Sequence, residues 1–496
     1  MTRRLLPLSL AVGLSLLAVS AYAADTVWPS LRGGASGRGA CKFRADGSAP
    51  ELREWSFKSG AKRRYRPGLA VWASPALAVV RGRPMAFIGG YDQRLHAFDL
   101  ASRAEQWQLI TNGVIASAPA VGLVDGEALV CWGSADRSVR ARTAAEGRRV
   151  WTRELVRATT TLGEVTISAP LLHDGVLYIA TFAYDKALAR NSQRALLHGL
   201  DMRTGRSRWP PVLISNGPVS SPVGRGIGGR FLVFVAARKG LLQAFDASNG
   251  RRPTREWKFQ MPHEVLGSPV VEEGTDAPLL FLGSKFGNLI AIDARTGRER
   301  WQRMAGNWID NTACVGDLDG ERVVFTGSHD YRVYAFRARD GEDLWSRHLG
   351  GEVYTAPCFF ESGHGPRVAV ACLDDHLYVL DARDGSVETS YFTGRPIWDK
   401  VAKGETLWGS PAALEAGDQT VLVHGSFNDT VYVLPLFDRP GHRCRLRAKV
   451  HSSAGLWQGL GLVFVLFMSV VVPVVLRLPA RGKASGGKDA PGKNRE

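Results

Sequence analysis

Six cysteines and six methionines among 496 residues are few, and no two cysteines are adjacent or spaced as C-x-x-C or C-x-x-C-H. That pattern excludes a zinc ribbon and c-type haem attachment. There is no H-E-x-x-H, no G-x-S-x-G and no P-loop, so the residue sets of zinc proteases, α/β-hydrolases and P-loop nucleotidases are missing. Between residues 51 and 437 no stretch carries a long helical period, which excludes a helical domain there. Two stretches imitate ligand loops. Gly224-Arg225-Gly226-Ile227-Gly228-Gly229 has the glycines of a phosphate loop but lies between strand-like runs with no helix to follow, so it reads as a hairpin turn. Asp317 to Glu321 is too short for a calcium loop and reads as another turn.

The net charge of +16 is localised. Arg3-Arg4 carry +2, residues 438–451 carry +4 and residues 477–496 carry +4, which leaves +6 for residues 24–437. The excess therefore flanks apolar segments, where anionic lipid headgroups are the natural partner. No nucleic-acid partner is expected.

What the chain does have is repetition. The stretch AIDARTGRERW (291–301) recurs as AFDLASRAEQW (97–107), ARTAAEGRRVW (141–151), GLDMRTGRSRW (199–209) and AFRARDGEDLW (335–345). Trp107, Trp151, Trp209, Trp301 and Trp345 each fall eight residues after the Asp slot, and AFDASNGRRPTREW (244–257) reaches Trp257 with three extra residues. VLDARDGSVET (379–389) keeps Asp381 and Gly385 but ends on Thr389. A second marker, a small residue before proline, stands at Ser74, Ala118, Ala169, Ser221, Ser268, Ala356 and Ser410, with Thr312-Ala313 in the same slot. Successive spacings of 44, 51, 52, 47, 44, 44 and 54 residues define eight units of one repeat architecture.

Each unit holds four short apolar runs bounded by Gly, Asp and Asn, the signature of strands. The expected fold is all-β, an eight-bladed propeller of four-stranded antiparallel blades at residues 51–437. The Asp and Gly shape a turn; the Trp, on the outermost strand, docks against the neighbouring blade. The eighth unit stops after its third strand, at TVYVLPL, whereas Trp55 in ELREWSFKSG belongs to no unit. Residues 54–58 are therefore expected to complete blade 8, so that Trp55 joins the docking tryptophans.

Arg3-Arg4, the apolar run Leu5 to Ser20 and Ala21-Tyr22-Ala23 read as a signal peptide over residues 1–23, followed by an extension over 24–50. Residues 455–476 are 22 residues without a charge, long enough for a transmembrane helix, between a basic stalk (438–454) and a basic tail (477–496). Export would place the propeller on the periplasmic or extracellular side of the inner membrane and the C-terminus in the cytoplasm. In an oxidising compartment Cys41 and Cys444, which bracket the ring, are a candidate disulfide, while Cys131, Cys314, Cys358 and Cys372 fall in strands and read as buried small side chains.

The consensus A-x-D-x-x-T-G-x-E-x-W, complete at 291–301, resembles the tryptophan-docking motif of the PQQ-like (quinoprotein-type) β-propeller repeat family, and WPSLRGG (28–34) is similar to the opening of its bacterial members. The resemblance implies either an outer-membrane assembly scaffold of the BamB kind or a quinoprotein dehydrogenase with PQQ and calcium. Alcohol-type dehydrogenases of this family carry adjacent cysteines over the cofactor, which this chain does not have. No cofactor, metal or catalytic set is expected on that ground. The candidate binding residues are on one rim of the channel, three residues before each proline slot: Trp72, Tyr354 and Trp408, with Trp308 and Asp310 in the loop entering blade 6, and Trp398 with Asp399, Lys400 and Lys403 in the longest connection. The reading is a non-catalytic binding or scaffold module for an envelope protein, peptide or glycan. A PQQ-dependent membrane-bound oxidoreductase and a glycan-binding module stay open as alternatives.

Overall fold

The computed structural model describes residues 40–43, 55–58, 73–156, 162–185, 193–393, 409–416, 419–425 and 430–436. The expected signal peptide, stalk, transmembrane helix (455–476), tail and Cys444 lie outside them. Among the described residues no helix is long and apolar enough to cross a membrane; helix is confined to the 3-10 turn Ser248–Gly250.

Eight antiparallel sheets follow one another along the chain. Blade 5 shows the plan. Val270–Val271 is innermost, then Leu279–Gly283, Asn288–Asp293 and Glu299–Met304 outermost, each hydrogen-bonded to the next. The middle strands are buried throughout, because each is covered by a blade on either side. Such burial demands apolar runs rather than alternation, hence LLFLG and NLIAID. The outermost strands alternate, as in Ala104–Ile110, since only one face meets a neighbour.

The repeat motif couples adjacent blades. Asp293 Oδ1 accepts the backbone N–H of Arg295 (3.0 Å) and Thr296 (3.1 Å), and Gly297 closes the turn at φ +70°, a conformation that costs a side-chain-bearing residue. Gly297 is also the floor for a ring from the blade before. A Cβ there would fall 2.7 Å from Trp257, whose Nε1 donates to Ala294 O at 3.1 Å. Trp107, Trp151, Trp301 and Trp345 donate likewise to Ala144, Met202, Ala338 and Ala382 O, at 2.8–3.0 Å. The Trp and the Thr-Gly it requires thus sit in consecutive repeats. Trp209 departs from this pattern. It packs over Gly199 of its own blade, and the Tyr178 hydroxyl takes the carbonyl of Ala247 instead, at 3.4 Å.

Blade 8 combines both ends of the propeller. Ala412–Ala416, Gln419–Gly425 and Thr430–Leu436 are joined on the outer edge by Trp55–Lys58, with Trp55 opposite Val433 and Lys58 opposite Thr430. The closing strand comes from the N-terminal side, so opening the ring means breaking a strand pair. Residues Ala40–Phe43, read from sequence as part of an extension, pair in parallel with Ala412–Ala416 on its inner edge. They lie against the innermost strands of blades 7 and 1, and so narrow the channel. Blade 3 also departs from the plan, with an added strand, Leu162–Ile167, along Val176–Asp185. The two loop look-alikes are hairpin turns, at Gly228-Gly229 and at Asp319-Gly320.

Candidate functional site

The innermost strands all start at one face of the ring, the mouth face, where the turns between second and third strands and the loops between blades also lie. Here the small residue before each proline has a task. Its hydroxyl accepts a backbone N–H from the same position of the preceding blade: Ala169 N–H to Ser221 Oγ (3.1 Å), Ser221 to Ser268 (3.2 Å), Ser268 to Thr312 (2.9 Å), Ala356 to Ser410 (3.1 Å) and, across the closure, Ser410 to Ser74 (2.9 Å). The belt is interrupted where the slot holds alanine, at Ala118, Ala169 and Ala356. Within it is an axial cavity of about 240 Å3, walled by belt residues and by Asp310, Asn311 and Tyr354.

Packing of the preceding residue positions Asp310 and Tyr354. Ile309 seats over Gly283 and Val353 over Gly327, where a Cβ on either glycine would collide at 2.2 and 2.3 Å. Asn311 ties the loops together, donating to Gly327 O (2.8 Å) and Val353 O (3.1 Å). The same geometry brings up two residues that the sequence reading did not single out. Lys285 and His329 hold equivalent turn positions in blades 5 and 6, one residue after Gly-Ser, so aligning the turns would have found them. Lys285 Nζ stands 4.8 Å over the Trp308 ring, an energetically useful cation–π distance. Trp308, His329 and Tyr354 form a file of rings, with centroids 5.5 and 3.9 Å apart.

The centre of this cluster is Asp310 with His329. Their side chains are 7% and 5% exposed, with Asp310 Oδ2 3.4 Å from His329 Nε2, yet Asp310 Oδ1 and His329 Nε2 are buried without a hydrogen-bond partner. Burial raises the Asp310 carboxyl to about 6, against the opposing pull of Lys285 and Arg238. Burial and Lys285 push His329 down to about 4. No pH makes both groups charged, so the contact is not an ion pair: above pH 6 it sets a carboxylate beside a neutral imidazole. Tyr354 titrates well above its ordinary range because of burial and its hydrogen bond to Glu352.

Of the candidate rim, Trp308, Asp310 and Tyr354 converge here. Trp72, Trp398 and Trp408 lie outside the described residues. Cys131, Cys314, Cys358 and Cys372 are buried thiols. Among the described residues no three His, Cys, Asp or Glu side chains are grouped to hold a metal.

The family of the outer membrane protein assembly factor BamB matches residues 52–303 and 238–433. The chain belongs to the BamB family. BamB-family membership accounts for the repeat, and solved structures agree on the fold. A europium-containing methanol dehydrogenase superposes with TM-score 0.58 at 13% identity over 80% of this chain and 89% of its own. Quinohemoprotein alcohol dehydrogenase from Comamonas testosteroni gives 0.56 at 12% identity, over 84% and 82%. The computationally designed Ika8 protein gives 0.54 at 13%, over 74% and 96%. At such identities the likeness is one of fold alone. A curated relative, the serine/threonine-protein kinase AfsK of Streptomyces griseus, is 30% identical over 169 residues; this is 33% of the chain, which thus spans only 18% of the kinase.

Proposed function

We propose that this BamB-family propeller is a non-catalytic binding module, a scaffold of cell-envelope assembly that offers its mouth face to another envelope protein. Residues 455–476 would anchor it in the inner membrane with the ring on the exported side. The observation that carries this reading is an asymmetry of exposed apolar side chains. Of eight large ones among the described residues, Ile110, Leu213, Phe286, Met304, Trp308 and Phe392 stand at the mouth face, and Leu123 and Val387 at the other. Phe286, Met304 and Trp308 all belong to blade 5 or the loop leaving it, beside Lys285. Apolar side chains gathered on one face, next to charge, are typical of protein interaction sites.

The cavity lining supports a function without PQQ. PQQ is a tricarboxylate, yet the described lining presents one carboxylate, Asp310, and no Lys or Arg. Calcium takes six to eight oxygen ligands, whereas Asp310 is the single acidic group of the described lining. Photo-crosslinkers placed at Phe286 and Met304, compared with Leu123 and Val387, test the proposal in intact cells. Envelope proteins captured from the first pair and not from the second are the expected result. Capture from the second pair alone, or dye-linked alcohol oxidation after loading with PQQ and calcium, would overturn it.

A further inference from the structure

We propose that blades 4 and 5 are the contact sector of the mouth face, and that they take a linear segment of the partner in which aliphatic or aromatic side chains stand beside carboxylates. This deepens the binding-module reading and rests on it. Six blades show the turn between second and third strands among the described residues. In blades 1, 2, 6 and 7 an aspartate stands before the residue of positive φ and accepts the backbone N–H two residues on: Asp92 from Arg94 (3.1 Å), Asp136 from Ser138 (3.1 Å), Asp330 from Arg332 (3.1 Å) and Asp374 from His376 (3.2 Å). In blade 4 that place holds Lys239 and in blade 5 Phe286, with Gly240 and Gly287 taking the positive φ. The aspartates fold inward, Asp92 and Asp136 with side chains 6% and 8% exposed, whereas Phe286 is 60% exposed. The Phe286 side chain gives the turn no hydrogen bond and stands in water, a choice that folding does not require.

The exposed rings of this sector are braced from behind. Phe286 stacks on His263, with ring centroids 4.2 Å apart. Trp308 leans on His329 at 5.5 Å and lies under Lys285 Nζ at 4.8 Å. Both rings are thus held in place before a partner arrives, which removes part of the ordering cost of binding. Exposed Met304 adds a side chain that adapts to the shape laid on it. Charge then selects among apolar partners. Arg238, Lys239 and Lys285 stand in the two turns, and Glu264 is the exposed acid beside them, 3.7 Å from Arg238 and 3.9 Å from Lys285. Asp310 is buried, and Asp330 of blade 6 is engaged by the Gly306 N–H and the Tyr334 hydroxyl. One exposed carboxylate against three cations leaves the sector basic, whereas the same turns of blades 1, 2, 6 and 7 carry aspartates. A segment with carboxylates between its apolar side chains meets both features at once. A bilayer fits less well, because Glu264 would oppose its phosphates and the last strand of the ring, Thr430–Leu436, runs away from the mouth.

The test measures binding of fluorescein-labelled, capped octapeptides to the purified full chain in phosphatidylcholine nanodiscs by fluorescence anisotropy. One peptide alternates glutamate with leucine and phenylalanine, a second has lysine for glutamate, and a third has serine for the apolar residues. The first is expected to bind with Kd on the order of 100 µM, and the other two at least tenfold more weakly. Raising salt from about 50 to about 500 mM should weaken that binding several-fold, since exposed charges are screened. Phe286→Asp and Lys239→Asp install the residue that other blades use, so they keep the turn while removing the contact. Phe286→Asp should weaken binding tenfold or more and Lys239→Asp several-fold, while Leu123→Asp on the far face leaves it unchanged. Melting curves check that the variants fold, and a diazirine-bearing form of the first peptide maps the contact on the wild-type chain without any substitution. No binding of the first peptide up to about 1 mM, equal or tighter binding of the second or third, attachment outside blades 4 and 5, undiminished affinity in Phe286→Asp, or flotation with phosphatidylglycerol vesicles in place of peptide binding overturns the proposal. Capture of envelope proteins from Phe286 and Met304 in cells, persisting beside such a failure, would confine it to the chemistry of the partner; loss of that capture would be failure of the wider reading.

Discussion

Asp310→Asn should make the protein more stable above pH 6 and leave it unchanged near pH 4. The carboxyl is almost wholly buried beside His329, and its rise from an ordinary 3.8 to about 6 amounts to about 3 kcal/mol at 1.36 kcal/mol per pKa unit. The sign follows from linkage. A carboxyl that binds its proton more tightly when folded penalises folding once both states are ionised. That cost is complete above about pH 6, shrinks as pH falls toward 3.8 and is gone below it. Asparagine is nearly isosteric and carries no charge, so the variant escapes the cost. With an unfolding entropy of about 2.1 cal/mol/K per residue over roughly 380 ring residues, or about 0.8 kcal/mol/K, the gain is about 4 °C in Tm near pH 8. Differential scanning calorimetry of both proteins near pH 8 and near pH 4 measures it. A variant that melts no higher at pH 8, or gains as much at pH 4, would show that Asp310 is not held ionised against its surroundings.

Three further outcomes follow from the geometry. Gly341→Ala places a Cβ about 2.7 Å from Trp301 at φ +74°, whereas Gly320→Ala, at φ +90°, meets open space. Both bear the backbone cost of about 1–2 kcal/mol, so urea denaturation should show Gly341→Ala to be clearly the worse, and equal losses would refute blade-to-blade docking by Trp301. Ser74→Ala removes the acceptor of the Ser410 N–H at the ring closure and should cost about 1–3 kcal/mol; in the same denaturation series a loss near zero would mean that the belt contributes nothing there. His96 is buried, which by itself lowers its pKa, but hydrogen bonds to Asp92 (2.8 Å) and Glu105 (2.5 Å) outweigh that and raise it. Its contribution to stability is therefore full below pH 6.5 and is lost as pH rises through the elevated value. NMR titration should find His96 protonated at pH 6.5, and a midpoint below that would contradict the paired geometry.

The ring could be read from sequence because one local requirement repeats in seven of the eight units. A tight turn needs a side chain to bind its amides and a residue that takes positive φ, so Asp and Gly recur at these turns, with Thr143 and Arg337 in the Asp slot and Arg103 in the Gly slot as the departures. What the marks did for each other was not legible. Trp257 needs Gly297, forty residues on, and only the assembled ring makes them neighbours. The serine before proline looked like a small residue at a strand start; its hydroxyl acts on the preceding blade. Ala40–Phe43 has no motif, since a strand that fills a channel edge needs little beyond an extended backbone. Asp310, Trp308 and Tyr354 were legible as a rim by phase within the repeat. Lys285 and His329 share a turn position one residue after Gly-Ser that alignment of the turns exposes, but that this turn lies over the next loop depends on the stagger between blades, which no local pattern records.

The two faces of the ring differ in what folding alone would explain. Among the described residues, every carboxylate oxygen or imidazole nitrogen buried without a partner lies at the mouth face: Asp310 Oδ1, His329 Nε2, Asp375 Oδ2 and His424 Nδ1. Asp375 is pushed up to about 7 by burial and by its neighbour Asp374, and His424 down to about 4 by burial. Such groups weaken a fold and are readily replaced by better-packed residues unless another demand holds them. The far face meets its turns with satisfied pairs, such as the Asp293 carboxylate on the amides of Arg295 and Thr296. These four unmatched acid and imidazole atoms and six of the eight exposed large apolar side chains among the described residues thus lie on the same side. A ring selected for stability alone would have no reason to gather its unmatched carboxylate and imidazole groups on one face, and that bias supports the proposed use of the mouth face for binding.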